Sequence, residues 1–128
     1  MTFAFVAVDK GSSRAGIFDL LISKGISFID VGMGLKRKNN SLNGMLRTTY
    51  YSSENGQKVY DKGLAETADN QNDLYRANIQ IGELNAINAC LAVIKFKQLR
   101  SFYFEETPSY HLVFGVGDCK IAEESELE

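Results

Sequence analysis

Residues 4–14, Ala-Phe-Val-Ala-Val-Asp-Lys-Gly-Ser-Ser-Arg, decide the fold class of this chain. The almost wholly apolar run over residues 3–8 suits a strand covered on both faces. It leads straight into Asp9. Ser12 or Ser13 can then cap a helix by accepting bonds from its free backbone N–H groups, and Arg14 falls on the first turn of that helix. Ile17, Leu20, Leu21 and Lys24 share one helical stripe, and Gly25 suits the position that ends it. Residues 26–31 are the next apolar run. Strand, helix and strand within about 30 residues make a βαβ unit with parallel strands and a right-handed crossover. Open α/β sheets bind ligands at the carboxyl ends of their strands, where strand tips and helix N-termini converge. Asp9 and Arg14 at that edge are an acid and a base suited to a metal–phosphate substrate.

Downstream, Gly32-Met33-Gly34 interrupts the pattern, and residues 36–40 read as an exposed turn. Leu42, Gly44, Leu46, Thr48 and Tyr50 alternate with Asn43, Met45, Arg47, Thr49 and Tyr51, which predicts a strand. The short link before it predicts an antiparallel neighbour. Residues 52–73 are polar and read as a long loop with a helical turn at 64–68. A long helix is expected over residues 74–102, with Ile81, Leu84, Ile87, Leu91, Ile94 and Gln98 along its apolar stripe. Gly82, Ala86, Ala89 and Val93 form a second face, small enough for close approach by another element. After Pro108, residues 110–116 predict a last strand, and an acidic, disordered tail is expected from Glu123. The expected class is α/β: a partial Rossmann-like mixed sheet with one parallel βαβ unit, an antiparallel extension and a long covering helix.

The bulk chemistry narrows the function. A length of 128 residues, 45% hydrophobic and 23% charged, fits one soluble globular domain. A net charge of −2 argues against a general nucleic-acid binder. No apolar run approaches a membrane span and no signal peptide precedes the first strand, so the expected compartment is the cytoplasm. Cys90 and Cys119 are expected to be reduced thiols there, and with one His they offer no zinc spacing.

Each candidate residue also has a structural reading. Asp9 ends an apolar strand, where an uncompensated carboxylate is costly to bury. By residue type alone, capping of the following helix is favoured over ligand binding. Gly32-Met33-Gly34 lacks the third glycine of a dinucleotide fingerprint, and no helix follows it. A tight turn is the better reading, and the same holds for Gly115-Val116-Gly117. Lys36, Arg37 and Lys38 read as a solvated turn. His111 lies in the last strand without a Ser or Cys partner and reads as a core or edge histidine. Cys90 is expected to be buried in the long helix, and Cys119 exposed after a turn. Asn85 and Asn88 share a helix face and could bond a neighbouring chain or loop, although solvated positions are the simpler account.

Taken together, Asp9-Lys10-Gly11-Ser12-Ser13-Arg14 resembles the Asp-Asn-x-x-x-Arg segment of ThiF/MoeB-type adenylating domains, whose fold is shared with ubiquitin-activating enzymes. Ile26-Ser27-Phe28-Ile29-Asp30-Val31-Gly32 looks like the next strand of that family. Ile79-Gln80-Ile81-Gly82-Glu83-Leu84-Asn85-Ala86-Ile87-Asn88-Ala89 looks like its small-residue helix. The resemblance implies that residues 1–122 are the later half of an adenylating domain and that residues 123–128 are a tail. It implies activation of the C-terminus of a ubiquitin-like or sulfur-carrier protein by ATP and Mg in a full-length parent. Asp9 would hold the Mg and the reacting phosphate, Arg14 would follow it in the catalytic segment, and Lys10, where the family usually has Asn, would share the cofactor site. A homodimer is implied; nucleic acid, membrane and zinc are not. The chain has no Gly-rich nucleotide loop, and the stretch matching the crossover loop has no cysteine. The chain alone is therefore expected to be inactive or weak. The alternatives are a non-enzymatic ThiF-like module for dimerisation or protein binding, and a small-molecule Rossmann-like binder.

Overall fold

Among the described residues, five strands form one mixed sheet whose spatial order follows the sequence: β1 (Phe3–Val6), β2 (Ser27–Lys38), β3 (Ser41–Tyr51), β4 (His111–Gly115) and β5 (Ile121–Glu124). The computed structural model describes residues 1–68 and 81–125. β1 and β2 run parallel, joined through α1 (Gly11–Ser23), and every later pair is antiparallel. The α/β class, the single parallel unit and the antiparallel extension are thus as the sequence predicts. α1 ends as expected at Gly25, with φ 64°: the Gly25 N–H bonds the Ile22 carbonyl and the Ile26 N–H bonds that of Leu21.

Side-chain alternation along β2 and β3 divides the core between the two sheet faces. Phe28 and Tyr51, directly paired, stack with ring centroids 4.6 Å apart. Phe18 of α1 packs against both, at 5.0 and 4.8 Å. Leu21 and Val59, the latter from α2 (Gly56–Asp61), complete that side. The other face presents Leu35 and Leu46 to Leu84 of α3 (Gly82–Leu99). Fully burying each such side chain is worth roughly 1.5–3 kcal/mol, so these two clusters fix the helices on opposite faces.

Several local expectations are corrected. β2 does not break at Gly32-Met33-Gly34 but continues to Lys38, so residues 36–38 are strand rather than turn. β3 supplies a partner at each position, from Gly32↔Arg47 to Lys38↔Ser41, and the reversal is confined to Asn39 and Asn40. Asn39 takes a φ of 56°, which asparagine tolerates. The helical turn expected at 64–68 is found instead at α2, where Val59 enters the Phe18–Tyr51 cluster. On α1 the inward residues are Gly11, Arg14, Phe18 and Leu21, while Leu20 is exposed. On α3 they are Leu84, Asn88, Ala92 and Lys95, so two polar residues occupy the face expected to be apolar and Ile94 is exposed. The helix expected over residues 74–80 lies outside the described residues, and α3 ends at Leu99 rather than at 102. Glu123 and Glu124 belong to β5 rather than to a disordered tail: β5 pairs with β4, and the Tyr110 hydroxyl donates to the Glu124 carboxylate at 2.7 Å. Residues 126–128 lie outside the described residues.

β1 is an edge strand, and Phe5 on it is 52% exposed, so it is not covered on both faces as expected. No helix among the described residues is long and apolar enough to cross a membrane.

Candidate functional site

The residues at the end of the parallel pair are organised around a carboxylate that the sequence reading did not single out. Asp30 sits on β2 between its partners Val6 on β1 and Thr49 on β3, and is 0% exposed. Arg14, on the first turn of α1, points inward and donates through Nε to Asp30 Oδ1 at 3.1 Å. Its remaining nitrogens bond the Glu66 carbonyl at 3.0 Å and the Val8 carbonyl at 2.6 Å. From β3, Arg47 Nη1 lies 2.6 Å from Asp30 Oδ2 as an ion pair whose N–H direction falls short of a hydrogen bond. Removal from water raises the Asp30 carboxyl above its usual 3.8; Arg47 and then Arg14 pull against that shift without cancelling it. Burial and then the Asp30 charge raise the nearby Tyr51 phenol above 10.0.

The polar cluster continues across the sheet. Arg47 Nη1 reaches the Thr49 hydroxyl at 3.3 Å, and that hydroxyl shares a 2.8 Å hydrogen bond with His111 Nδ1 on β4. Burial lowers the His111 pKa below 6.5; the Glu124 charge opposes the shift and Arg47 adds to it. On the opposite face, α3 turns Asn88 toward the sheet, where Nδ2 donates to the Gly32 carbonyl at 3.2 Å.

These groups border a cavity of about 410 Å³ just beyond the carboxyl end of β1. Asp9, Arg14, Arg47, Asn85, Asn88 and His111 all line it, along with the Gly32–Gly34 stretch of β2. The cavity therefore lies where the sheet changes from parallel to antiparallel, at the strand end that the βαβ pattern pointed to.

The two residues first expected to act together both line the cavity but are not paired with each other. Asp9 is exposed and faces the cavity, whereas Arg14 is 5% exposed and engaged with Asp30 rather than with Asp9. Asp9 does not cap α1, nor do Ser12 or Ser13: the N-cap position is Lys10, exposed and without a side-chain cap. Lys10 does not line the cavity, although it neighbours Asp9. His111 is buried, as a core histidine should be. Asn88, expected to be solvated, is buried, and Cys90, expected to be buried, is exposed together with Cys119.

Asp30 and Arg47 were legible only as members of strands. The one available signal was an acid on a buried strand paired with a strand that carries an arginine. Among the described residues no three His, Cys, Asp or Glu side chains converge on a common metal position. A cation at Asp9 would have to take most of its ligands from substrate oxygens and water, which is how Mg²⁺ is commonly held. Asp30 does not suit that role, because both of its oxygens face arginines. No family model, curated protein or solved structure matches this chain.

Proposed function

We propose that this chain works as the later half of a ThiF-type adenylating domain, activating the C-terminal carboxylate of a ubiquitin-like or sulfur-carrier protein with magnesium ATP. The observation that carries the reading is the placement of Asp9. Asp9 lines the cavity at the end of the only parallel strand pair among the described residues, on a backbone pinned one residue earlier by the Arg14–Val8 bond. In the reaction, a carboxylate oxygen of the tail attacks the α-phosphorus of ATP. An acyl adenylate forms as the bond to pyrophosphate breaks. Asp9 would hold Mg²⁺ against the phosphate oxygens, with Lys10 beside it. Arg14 acts as a positioning residue, because its three nitrogens are committed to Asp30, Val8 and Glu66.

The nucleotide-binding half would complete the sheet along the open edge of β1, beside the exposed Phe5. The setting proposed is the cytoplasm, in keeping with two free cysteines. ATP–pyrophosphate exchange by the natural polypeptide carrying this segment tests the reading. Asp9→Ala should lower exchange roughly 100-fold or more, and wild-type exchange in that variant would remove the role given to Asp9.

One observation favours a second reading, a non-enzymatic ThiF-like dimerisation module. Gly82, Ala86, Ala89 and Val93 of α3 point to solvent, so close packing on the chain's own sheet does not account for them. Sedimentation equilibrium and ATP–pyrophosphate exchange together decide this: a dimer that Ala86→Glu dissociates, without exchange, supports the module, and a monomeric wild-type chain rules it out.

A further inference from the structure

The hairpin of β2 and β3 runs past the rest of the sheet and carries charge that the cavity does not use. β1 pairs with β2 only from Ser27 to Asp30, and β4 pairs with β3 only from Met45 to Thr49. From Lys36 to Asn43, the two strands therefore pair only with each other among the described residues. Leu35, buried against Leu84 of α3, anchors the base of this ribbon. At the far end the chain reverses within Asn39 and Asn40, and residues 36–42 are all exposed.

The ribbon is basic within an acidic chain. Between Asp30 and Glu54 the sequence has no Asp or Glu but four cations, Lys36, Arg37, Lys38 and Arg47, although the whole chain has a net charge of −2. Arg47 is engaged with Asp30 at the buried end. The other three lie together on exposed strand, where alternation puts Lys36 and Lys38 on one face and Arg37 on the other. The turn after β4 brings Asp118 beside Gly115 at the ribbon's base, and Lys120 in the same turn offsets it. A molecule so divided presents its basic end first to a polyanion.

Shape and composition decide which polyanion fits. The major groove of duplex DNA, about 12 Å wide and about 8.5 Å deep, admits a two-stranded ribbon. At about 3.4 Å per residue, that depth takes in two or three residue pairs. Here these are the Asn39–Asn40 turn with Lys38↔Ser41 and Arg37↔Leu42. Entering tip first, the ribbon turns one face to each phosphate wall, Lys36 and Lys38 to one strand and Arg37 to the other. The two Asn amides then meet base edges, where Asn pairs with adenine. Duplex RNA has a major groove too narrow for side chains to read. Single strands are held by stacking on aromatic rings, and residues 31–49 contain none. A bilayer needs a broad apolar face, whereas Leu42, 40% exposed, is the one apolar residue of the exposed tip.

We infer that the β2–β3 hairpin docks this chain on duplex DNA, with Lys36, Arg37 and Lys38 on the phosphates and Asn39 and Asn40 in the major groove. Such docking requires neither ATP nor the tail of a partner protein. With three phosphate contacts it is weak and sensitive to salt.

The test titrates the full chain into a fluorescein-labelled DNA duplex of about 20 base pairs, close to two helical turns, and follows anisotropy. Affinity should fall roughly 10- to 40-fold between about 50 and 200 mM salt, a log–log slope of about −2 to −3. The double variant Lys36→Gln/Lys38→Gln should bind roughly 10-fold more weakly at the lower salt, with a slope of about −1. Both lysines are exposed, so the fold survives the change. Lys24→Gln/Lys58→Gln, exposed elsewhere, should leave affinity and slope unchanged. Amide signals of residues 36–42 should shift on binding in ¹⁵N-resolved spectra. No binding at about 100 µM chain and low salt would overturn the inference. So would a duplex bound no better than the same sequence as a single strand or as duplex RNA, or a double variant that binds like the wild type. Tighter binding of polyglutamate or of phosphatidylserine vesicles than of the DNA duplex would assign the ribbon to a different partner and overturn it equally.

Discussion

Arg14 and Asp30 meet at 3.1 Å beneath α1, with side chains 6% and 0% exposed, and that pair ties three separate segments together. Through the same guanidinium, the chain before α1 is held at Val8 and the chain after α2 at Glu66. The arginine is therefore as much a backbone clamp as a counter-ion. Arg47 completes the set from β3, so the carboxylate is matched by two cations. A buried charge cluster adds little net stability when intact but is costly to break, because the remaining charges lose their compensation.

Asp30→Asn should accordingly cost about 3–5 kcal/mol of stability in urea denaturation. Adding Arg14→Met to Asp30→Asn should cost clearly less than the sum of the two single losses, because the second change relieves the repulsion exposed by the first. Additive losses, or a single-variant loss below about 1 kcal/mol, would mean that the pair is no more than a solvent-exposed contact.

Gly34 and Gly44 lie near each other across the β2–β3 ladder but stand in unlike surroundings. A β-carbon at Gly44 would strike the Gly34 carbonyl and the Leu35 backbone, whereas one at Gly34 would enter open space. Gly44→Ala should therefore cost about 1–3 kcal/mol as an overpacking change. Gly34→Ala should stay within about 0.5 kcal/mol of the wild type. Equal effects at the two sites would contradict this ladder geometry.

The contrast also shows where sequence reading reached its limit. The βαβ unit, the hairpin that follows and the location of the cavity were legible, because each depends on local periodicity and short connections. The continuation of β2 through Gly32-Met33-Gly34 was not, because it depends on a partner strand that pairs with every residue from Phe28 to Lys38. The sequence reading set Arg14 beside Asp9, whereas its guanidinium pairs with Asp30. Asp9 is five positions away in the chain, while Asp30 is brought to it only by the parallel pairing of β1 with β2. Asn88 and Lys95 turned inward because each finds a partner there, Asn88 at the Gly32 carbonyl and Lys95 at Glu105, 2.5 Å away. No helical-stripe argument can anticipate partners on other elements.

Cys90 illustrates the same limit and yields a quick check. Its place in the middle of the helix, between Ala89 and Leu91, predicted burial, yet the face of α3 bearing Ala86, Ala89, Cys90 and Val93 is exposed, and Cys119 is exposed as well. Both thiols should react with a disulfide reagent in native buffer, giving two equivalents per chain without denaturant. One equivalent, with the second released only on unfolding, would show that this face of α3 is covered.

His111 gives the chain a pH-dependent stability whose sign follows from its surroundings. It is 7% exposed and joined to the Thr49 hydroxyl at 2.8 Å; burial lowers its pKa below the 6.5 expected in the unfolded chain. As pH falls through 6.5, the unfolded chain takes up this proton before the folded one does, so stability drops; above 6.5 the contribution is fully present. The raised Asp30 carboxyl acts in the opposite sense, because between 3.8 and its folded value the native state binds the extra proton and gains stability as pH falls. The difference between wild type and His111→Gln isolates the imidazole, since Asp30 is common to both. Urea midpoints of the wild type should be level from about pH 8 to 7 and then decline toward pH 5, while the variant should lose that part of the decline. Parallel curves for the two proteins would place the proton uptake on another group.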